Sequence, residues 1–204
     1  MGGLEQFNVS RESLTKLEIF VSILTTWQRT INLIGSSTLG EVWNRHIADS
    51  LQLIRWLPAT TQNLADLGTG AGFPGLALAI VTGQQAHLYE SNGKKAAFLR
   101  QAITATGANA RVHQARIELL ADEISTPNVD VVLARALAPM NKLLGYAEPF
   151  LRHGAIGLFH KGQDVDAELT EATKYWKLDY KKHPSLVDSS GVILEVREAY
   201  RVQS

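Results

Sequence analysis

The segment Asp66–Gly75 constrains the fold of this chain more than any other feature. Its sequence is DLGTGAGFPG, with glycines at positions 68, 70, 72 and 75. It follows the short apolar run 63–67 and precedes the apolar run 76–81. Glycine permits a backbone with positive φ and lets a ligand lie against the main chain. A glycine loop between a strand and a helix is typical of a nucleotide-binding corner.

Two interpretations of this loop compete. Read from Gly70, the spacing Gly-x-Gly-x-x-Gly fits a dinucleotide fingerprint, with Glu90 twenty residues further on as the ribose-binding acid. Read from Asp66, the pattern acidic-x-Gly-x-Gly-x-Gly resembles the S-adenosylmethionine motif of class I methyltransferases. In that motif the acid lies near the methionine end of the cofactor, and the glycines leave room for its sugar. The loop alone does not decide between them.

Composition narrows the classes of protein. The chain has 204 residues, 45% apolar and 20% charged, which suits one globular domain with or without an appendage. It has no cysteine, so disulfides, thiolate metal sites and thiol nucleophiles are excluded. No apolar run reaches the length of a membrane span, and no signal peptide is visible. We therefore expect a cytoplasmic protein without membrane association. A net charge of zero neither favours nor excludes nucleic acid.

The pattern of apolar residues predicts helices first and a sheet afterwards. An amphipathic helix is expected at 10–31, with Ser10 as its N-cap, and a second at 39–57, ended by Pro58. From residue 63 onwards, short apolar runs alternate with helical stretches, which favours a parallel sheet covered by helices. The expected strands are 63–67, 86–90, 110–113, 129–134 and 155–160, and the expected helices are 75–82, 93–106, 116–124, 139–151 and 163–176.

The last thirty residues carry strand signals at 178–180 and 192–196 with no helix between them, so they predict an antiparallel hairpin. Five αβ units followed by such a pair give the seven-stranded, Rossmann-like α/β fold of class I methyltransferases. We expect residues 1–60 to be a helical extension packed on a methyltransferase domain at 61–204. That length leaves no separate catalytic domain for a nicotinamide enzyme, and the methyltransferase interpretation is favoured.

Ligands of parallel sheets lie at the carboxyl ends of the strands. Glu90 ends the second predicted strand, where its carboxylate can accept both ribose hydroxyls of the cofactor. Asp66 ends the first strand and is expected to face the sulfonium end. After the third strand, Ile117 is expected against the adenine, and Glu118 is either a second cofactor contact or an acid at the start of a helix.

Two further residues lie near these strand ends. Phe73 presents an aromatic ring beside the glycine loop, although a place in the core is the alternative. Arg135 ends the apolar fourth strand and needs a partner there. The cofactor carboxylate, an RNA phosphate and Glu118 are the candidates.

Absences narrow the acceptor. Methylation of a pyrimidine carbon usually needs a cysteine, adenine-type amine chemistry needs a Pro-Pro turn, and metal-assisted chemistry needs clustered carboxylates. None of these is visible in the sequence, and no metal site is expected. A ring nitrogen such as guanine N7 carries no proton, so positioning and charge suffice for catalysis. Ribose 2′-O-methylation remains an alternative, with Lys161 as the base, as do a small-molecule methyltransferase and a non-enzymatic cofactor-sensing RNA-binding module.

Several segments of the chain resemble one known family. They are Asn44–Leu51 (NRHIADSL), the Asp66–Gly75 loop, Arg116–Glu118, Arg135-Ala136 and Lys161-Gly162, in this order. Together they look like the bacterial glucose-inhibited division protein B (RsmG) family, and the likeness covers nearly the whole chain. It implies methylation by S-adenosylmethionine of guanine N7 in a decoding-region loop of 16S ribosomal RNA. The expected substrate is the small ribosomal subunit or a precursor particle, and the expected enzyme is a monomer.

The resemblance also implies roles for individual residues. Cofactor contacts are expected from Gly68, Phe73, Ile117, Glu118 and Arg135, in addition to Asp66, Gly70, Gly72 and Glu90 from the motif analysis. RNA contacts are expected from Arg45, His46, Lys94 and Lys161. Arg135 and Lys161 are expected to serve catalysis by positioning and charge. His46 could instead be a core residue, and Arg45 with Asp49 could be a simple helix ion pair.

Overall fold

A mixed sheet forms the centre of the chain. The computed structural model describes residues 4–119 and 128–202. Within these ranges, seven strands form one sheet in the order β3-β2-β1-β4-β5-β7-β6. Their bounds are Asn63–Leu67 (β1), Gln85–Tyr89 (β2), Ala110–His113 (β3), Val131–Arg135 (β4), Ile156–Lys161 (β5), Trp176–Pro184 (β6) and Val192–Arg201 (β7).

α-Helical segments precede the sheet and connect its strands. Ser10 caps the first helix as predicted, because its Oγ accepts a hydrogen bond of 3.0 Å from the backbone N–H of Ser13. Over the described ranges, no helix is long and apolar enough to cross a membrane. The bounds are Arg11–Gln28 (α1), Asp49–Leu51 (α2), Gly75–Thr82 (α3), Gly93–Thr106 (α4), Met140–Leu151 (α5) and Val165–Ala172 (α6).

The strand order confirms the predicted fold. β1 pairs in parallel with β2 on one side and with β4 on the other, so the order of the strands reverses at β1. β7 pairs antiparallel with both β5 and β6, which confirms the terminal hairpin. The carboxyl ends of β1 and β4 therefore meet where doubly wound sheets bind their ligands.

Local patterns predicted most elements closely and some of them wrongly. The helix predicted at 39–57 is instead a 3₁₀ turn at Ser36–Glu41, a π-helix at Trp43–Ala48, the short α2 and a 3₁₀ turn at Gln52–Trp56. Of the helix predicted at 163–176, only the eight residues of α6 are α-helical. Trp176, at the predicted end of this helix, is already paired in β6. The helix predicted at 116–124 begins as a 3₁₀ turn at Ile117–Leu119, and its remainder lies outside the described residues.

Each face of the sheet carries its own apolar core. α5 and α6 cover one face, whereas α1, the segment 36–56, α3 and α4 cover the other. Phe20 of α1 is fully buried there, with its ring centroid 5.3 Å from that of Phe73 and 6.2 Å from that of Phe98. The helices before the sheet thus share a core with the glycine loop. On this basis we propose that residues 1–60 are an extension packed on the unit 61–204.

Replacing Phe20 by Ala tests this packing. The change removes an aromatic ring from the shared core, and we expect it to lower the free energy of unfolding by about 3–5 kcal/mol. The neighbouring Ile19 is 37% exposed, so Ile19→Ala should change it by less than about 0.5 kcal/mol. Urea unfolding followed by tryptophan fluorescence measures both. Equal effects of the two substitutions would contradict the shared core.

Candidate active site

The glycine loop turns sharply between β1 and α3. Gly68, Gly70 and Gly72 have φ angles of +65°, +57° and +86°, a region that side chains with a Cβ rarely adopt. A Cβ at Gly68 would also lie 2.5 Å from Cδ1 of Leu137, so the segment after β4 packs directly on the loop. Both the positive φ and the contact with Leu137 exclude a side chain at position 68, so glycine is required there.

Asp66 lies beneath this loop rather than at its surface. Its side chain is fully buried, and Oδ2 accepts hydrogen bonds from the Thr69 hydroxyl at 2.6 Å and the Gly75 N–H at 2.8 Å. Oδ1 is buried without a hydrogen-bond partner among the described residues. Burial raises the pKa of this carboxyl to about 7. The carboxyl thus ties the loop to α3, and its expected contact with the sulfonium stays a prediction.

Glu90 follows the last residue of β2 and faces the loop. Its Oε2 accepts a hydrogen bond of 3.1 Å from the Gly70 N–H, and Oε1 accepts one of 2.7 Å from the Asn92 N–H. Each carboxylate oxygen can accept a second bond. Glu90 lines a cavity of 290 Å³, here called the loop cavity, together with Gly68, Gly70, Tyr89, Ser91, Lys95, Ala115, Arg116, Ile117, Glu118, Leu137, Ala138, Lys142 and Tyr146.

The loop cavity brings together most of the predicted cofactor residues. Ile117 and Glu118 lie in its wall, on the 3₁₀ turn after β3. Glu118 accepts a hydrogen bond from its own backbone N–H and one of 3.0 Å from the Tyr146 hydroxyl. These two hydrogen bonds lower the pKa of its carboxyl. The cations Lys95, Arg116 and Lys142 also line the cavity and were not among the predicted contacts. The wall therefore carries charges of both signs.

Phe73 is a core residue, as the alternative prediction held. It is 4% exposed and does not line the loop cavity. Its ring stacks on that of His46, with centroids 5.1 Å apart and planes 25° apart. The Arg135 guanidinium lies 5.6 Å from its centroid. The ring therefore packs between the glycine loop and the segment 36–56, and its predicted cofactor contact stays a prediction.

A second and larger cavity, here called the β4 cavity, lies at the ends of β4 and β5. It has a volume of 570 Å³. Leu137 and Ala138 line it as well as the loop cavity, so the two spaces share one wall. Ala136, just before that wall, has a φ of +52°, a strained conformation for a residue with a Cβ. The β4 cavity is lined by Asp49, Ala134–Pro139, Leu143, His160–Gly162, Glu168, Ser185, Asp188 and Ser190–Ile193.

Arg135 points from the end of β4 towards the segment 36–56. Its Nη1 donates to Asp49 Oδ2 at 2.9 Å and to the Arg45 carbonyl at 3.2 Å, and its Nη2 donates to Nδ1 of His46. Its partner is therefore Asp49, and not Glu118 as one expectation had it. The guanidinium lines the β4 cavity rather than the loop cavity. The predicted cofactor contact of Arg135 stays a prediction.

His46 is a buried residue with both ring nitrogens in hydrogen bonds. Since a guanidinium can only donate, Nδ1 is the acceptor, and Nε2 donates to the Thr38 hydroxyl at 2.8 Å. Burial first, and then the charges of Arg135 and Arg45, lower its pKa to about 4. The ring is consequently neutral at pH 7. It supports Arg135 and Phe73, and brings no positive charge to RNA.

Lys161 is not a free cation. Its Nζ donates to Glu168 Oε2 at 2.6 Å and to the Ala138 carbonyl at 3.0 Å, and its side chain is 7% exposed. Glu168 Oε2 also accepts the backbone N–H of Met140 at 2.7 Å, at the start of α5. The pair fixes the wall shared by the two cavities. The predicted phosphate contact is therefore not supported at this position.

The other predicted RNA residues lie apart from each other. Arg45 pairs with Asp188 at 3.3 Å and not with Asp49, so the predicted helix ion pair is wrong. In a π-helix the hydrogen bonds run from i to i+5, and residues four apart no longer face each other as in an α-helix. Lys94 is exposed near the start of α4 and lines neither the loop cavity nor the β4 cavity.

Comparison with known proteins decides the family. The family model for GidB, rRNA small subunit methyltransferase G, matches residues 13–196. A relative named Ribosomal RNA small subunit methyltransferase G from Bradyrhizobium diazoefficiens is 49% identical over 197 residues, covering 95% of this chain and 75% of the relative. One from Methylorubrum populi is 47% identical over 203 residues, covering 98% and 95%. The chain belongs to the rRNA small subunit methyltransferase G family.

Solved structures confirm the fold that this family implies. A TehB-like SAM-dependent methyltransferase from Corynebacterium glutamicum matches with a TM-score of 0.54 and 14% identity, over 86% of this chain and 97% of that one. TYW2 of M. jannaschii in complex with AdoMet matches with a TM-score of 0.57 and 14% identity, over 85% and 80%. The methyltransferase G family member described here thus has the class I methyltransferase fold.

Sequence reasoning missed several residues of the site. Asp49 binds Arg135, accepts from Gln52 Nε2 at 2.7 Å through Oδ1, and accepts from His160 Nε2 at 2.8 Å through its carbonyl. Burial lowers the pKa of His160. Asp49 lies in the segment Asn44–Leu51 on which the resemblance rested, so the motif was the available signal. Among the described residues, no three His, Asp or Glu side chains are placed to hold a metal ion.

Titration of Asp66 gives a testable pH dependence. Its pKa is about 7 in the folded protein and about 4 in an unfolded chain. Between these values the folded state holds a proton that the unfolded state lacks. The free energy of unfolding therefore falls as pH rises from about 4 to 7, by at most about 1.4 kcal/mol per pH unit. Asp66→Asn cannot titrate and should lack this slope in urea unfolding, so parallel pH profiles of the two proteins would contradict the assignment.

Proposed function

We propose that this member of the methyltransferase G family transfers a methyl group from S-adenosylmethionine to N7 of a guanine in 16S ribosomal RNA. The supporting observation is that the loop cavity and the β4 cavity meet at one wall, Leu137-Ala138. A donor on one side of that wall and a base on the other can approach each other at its edge. The family relationship supplies the class of donor and acceptor.

The loop cavity fits the cofactor in chemistry. Glu90 offers free acceptor positions for two ribose hydroxyls, and the aliphatic Ile117 offers an apolar contact for the adenine. Gly70 has no side chain and leaves the backbone open where the sugar would lie. Lys95, Arg116 and Lys142 are available for the cofactor carboxylate. Bound S-adenosylmethionine supplies the activated methyl group.

The β4 cavity favours an acceptor that needs no general base. Lys161 Nζ is engaged by Glu168 Oε2 at 2.6 Å and by the Ala138 carbonyl at 3.0 Å. Asp49 accepts hydrogen bonds from Arg135 and Gln52, and His160 Nδ1 is buried without a hydrogen-bond partner among the described residues. Guanine N7 has a free lone pair, so its methylation requires no proton transfer. A ribose hydroxyl must lose its proton, and the carboxylates Asp49, Glu168 and Asp188 that line this cavity are each engaged by a cation.

The charges of the β4 cavity suit the product of N7 methylation. Methyl transfer leaves a positive charge on the guanine ring. Three carboxylates, those of Asp49, Glu168 and Asp188, line the cavity together with the cations Arg135 and Lys161, with which Asp49 and Glu168 are paired. Fixed charges of this kind stabilise a developing charge without reorganising during the reaction. We therefore assign Arg135 and Lys161 to holding the cavity in shape, with Arg135 close enough to contact the substrate.

The assembled small ribosomal subunit, or a precursor of it, is the proposed substrate. The chain has no net charge, so general attraction to RNA is weak, and a folded particle can supply the missing part of the recognition. A ribosomal substrate would place the protein in the cytoplasm. We propose that it acts there as a monomer.

Substitution of Glu90 tests the cofactor site. Glu90→Ala removes the acceptor for both ribose hydroxyls and should weaken S-adenosylmethionine binding about ten- to a hundredfold. Glu90→Gln keeps one neutral acceptor for the loop and should bind with intermediate affinity. Isothermal titration calorimetry measures both, with circular dichroism to show that the variants fold. Wild-type affinity in Glu90→Ala would place the cofactor elsewhere.

The position of the new methyl group tests the function. Small subunits from a bacterial strain that lacks its own enzyme are incubated with the protein and labelled S-adenosylmethionine, and the nucleosides are then separated by mass spectrometry. We expect multiple turnovers and 7-methylguanosine. A 2′-O-methylnucleoside would indicate ribose chemistry, and cofactor binding without any transfer would indicate a sensing module. Either outcome would overturn the proposal.

A further inference from the structure

A third cavity lies beside the β4 cavity, at the junction of the segment 36–56 and the loop between β6 and β7. It has a volume of 220 Å³ and is here called the arginine cavity. Asp49, Arg135 and Asp188 line both cavities, so the two spaces are neighbours. The remaining lining residues of the arginine cavity are Thr38, Arg45, His46 and Val187.

The two guanidinium groups of this cavity are held very differently. Arg135 and Asp49 form a pair of 2.9 Å with side chains 19% and 17% exposed, and His46 adds a further contact. Arg45 and Asp188 form a pair of 3.3 Å with side chains 47% and 38% exposed. Exposed ion pairs contribute little to stability and exchange easily with other ions. The Arg135 pair is therefore a fixed part of the site, and the Arg45 pair is replaceable.

The charge balance of the cavity points to the kind of ion that can replace Asp188. His46 is neutral at pH 7, as its hydrogen bonds require. Arg45, Arg135 and Asp49 then leave one positive charge, which Asp188 neutralises in the structure. A phosphodiester also carries one negative charge, and its oxygens match a guanidinium fork. Exchange of Asp188 for a backbone phosphate would keep the cavity neutral.

We infer that the arginine cavity is a phosphodiester subsite, in which a phosphate next to the target guanosine displaces Asp188 from Arg45. The inference rests on the proposed function, since the β4 cavity next to it would hold the base. Asp188 acts as a carboxylate stand-in that occupies Arg45 until RNA arrives. Its side chain therefore competes with the substrate, although it lines the substrate site.

Local hydrogen bonds make Asp188 suitable for an isosteric test. Its Oδ1 accepts the backbone N–H of Ser190 at 2.9 Å and the Ser190 hydroxyl at 2.7 Å, whereas Oδ2 faces Arg45. Asp188→Asn can keep its carbonyl oxygen towards Ser190 and present a neutral amide to Arg45. The loop is preserved and only the competing charge is lost. A structural role of the pair would make this variant bind worse, and competition would make it bind better.

Filter binding of small subunits that lack the modification tests the inference. We expect Asp188→Asn to lower the dissociation constant about three- to tenfold, because the released guanidinium becomes available to phosphate. Arg45→Met should raise it by a similar factor and lower the slope of log K against log salt by about 0.7. In the double variant, Asp188→Asn should have no effect, because there is no guanidinium left to release.

A second carboxylate provides the matched control. Asp166 forms an exposed ion pair of 2.7 Å with Lys182 and lines none of the three cavities. Asp166→Asn shows how much the loss of one surface carboxylate changes the dissociation constant through general electrostatics. Thermal unfolding of every variant shows that the fold is intact.

Each outcome decides the inference. Weaker or unchanged binding by Asp188→Asn, or a gain no larger than that of Asp166→Asn, overturns it. A gain that persists in the Arg45→Met background is general repulsion and overturns it as well. Methyl transfer to the same subunits is measured separately. If the wild type transfers no methyl group, the proposed function is contradicted. The dissociation constants of the variants decide separately for or against the subsite.

Discussion

The ion pair between Arg135 and Asp49 is the contact on which the arrangement of the site depends. It joins the end of β4 to the segment before the sheet, and these two parts of the chain are 86 residues apart. The pair is largely removed from solvent, where loss of one partner leaves the other charge without compensation. Arg135 also donates to His46, and the His46 ring stacks on that of Phe73 in the glycine loop, so these groups form one continuous set of contacts. The helical extension is therefore part of the site and not an attachment to it.

A second constraint comes from below the glycine loop. Asp66 connects the end of β1 to the start of α3 through buried hydrogen bonds, and Glu90 connects the same loop to the end of β2. Both carboxylates thus accept hydrogen bonds from backbone N–H groups, and Glu90 also lines the loop cavity, whereas Asp66 does not. A carboxylate thus serves as a buried tie at the end of β1 and as a cavity-lining group after β2. Depth of burial, which sequence does not display, separates the two roles.

The sequence was informative where structure is local. The strands 63–67 and 110–113 and the helices 75–82 and 93–106 were predicted with their observed bounds, because apolar periodicity and turn glycines act over a few residues. The rule that ligands lie at the carboxyl ends of parallel strands predicted that Glu90, Ile117 and Glu118 would share one site, and all three line the loop cavity. The predictions failed where the partner of a side chain depends on packing between elements or on an irregular helix, which local patterns do not show. Lys161 is neutralised by Glu168 of α6, Arg135 by Asp49, and the π-helix breaks the spacing that suggested an Arg45–Asp49 pair.

The shared wall of Leu137 and Ala138 has a consequence for the order of events. If the donor occupies the loop cavity and the acceptor the β4 cavity, as proposed, neither has to pass through the compartment of the other to reach its place. Such an arrangement allows either partner to arrive first, which is a random kinetic order. It also allows spent cofactor to leave and fresh cofactor to enter while the ribosomal particle stays docked.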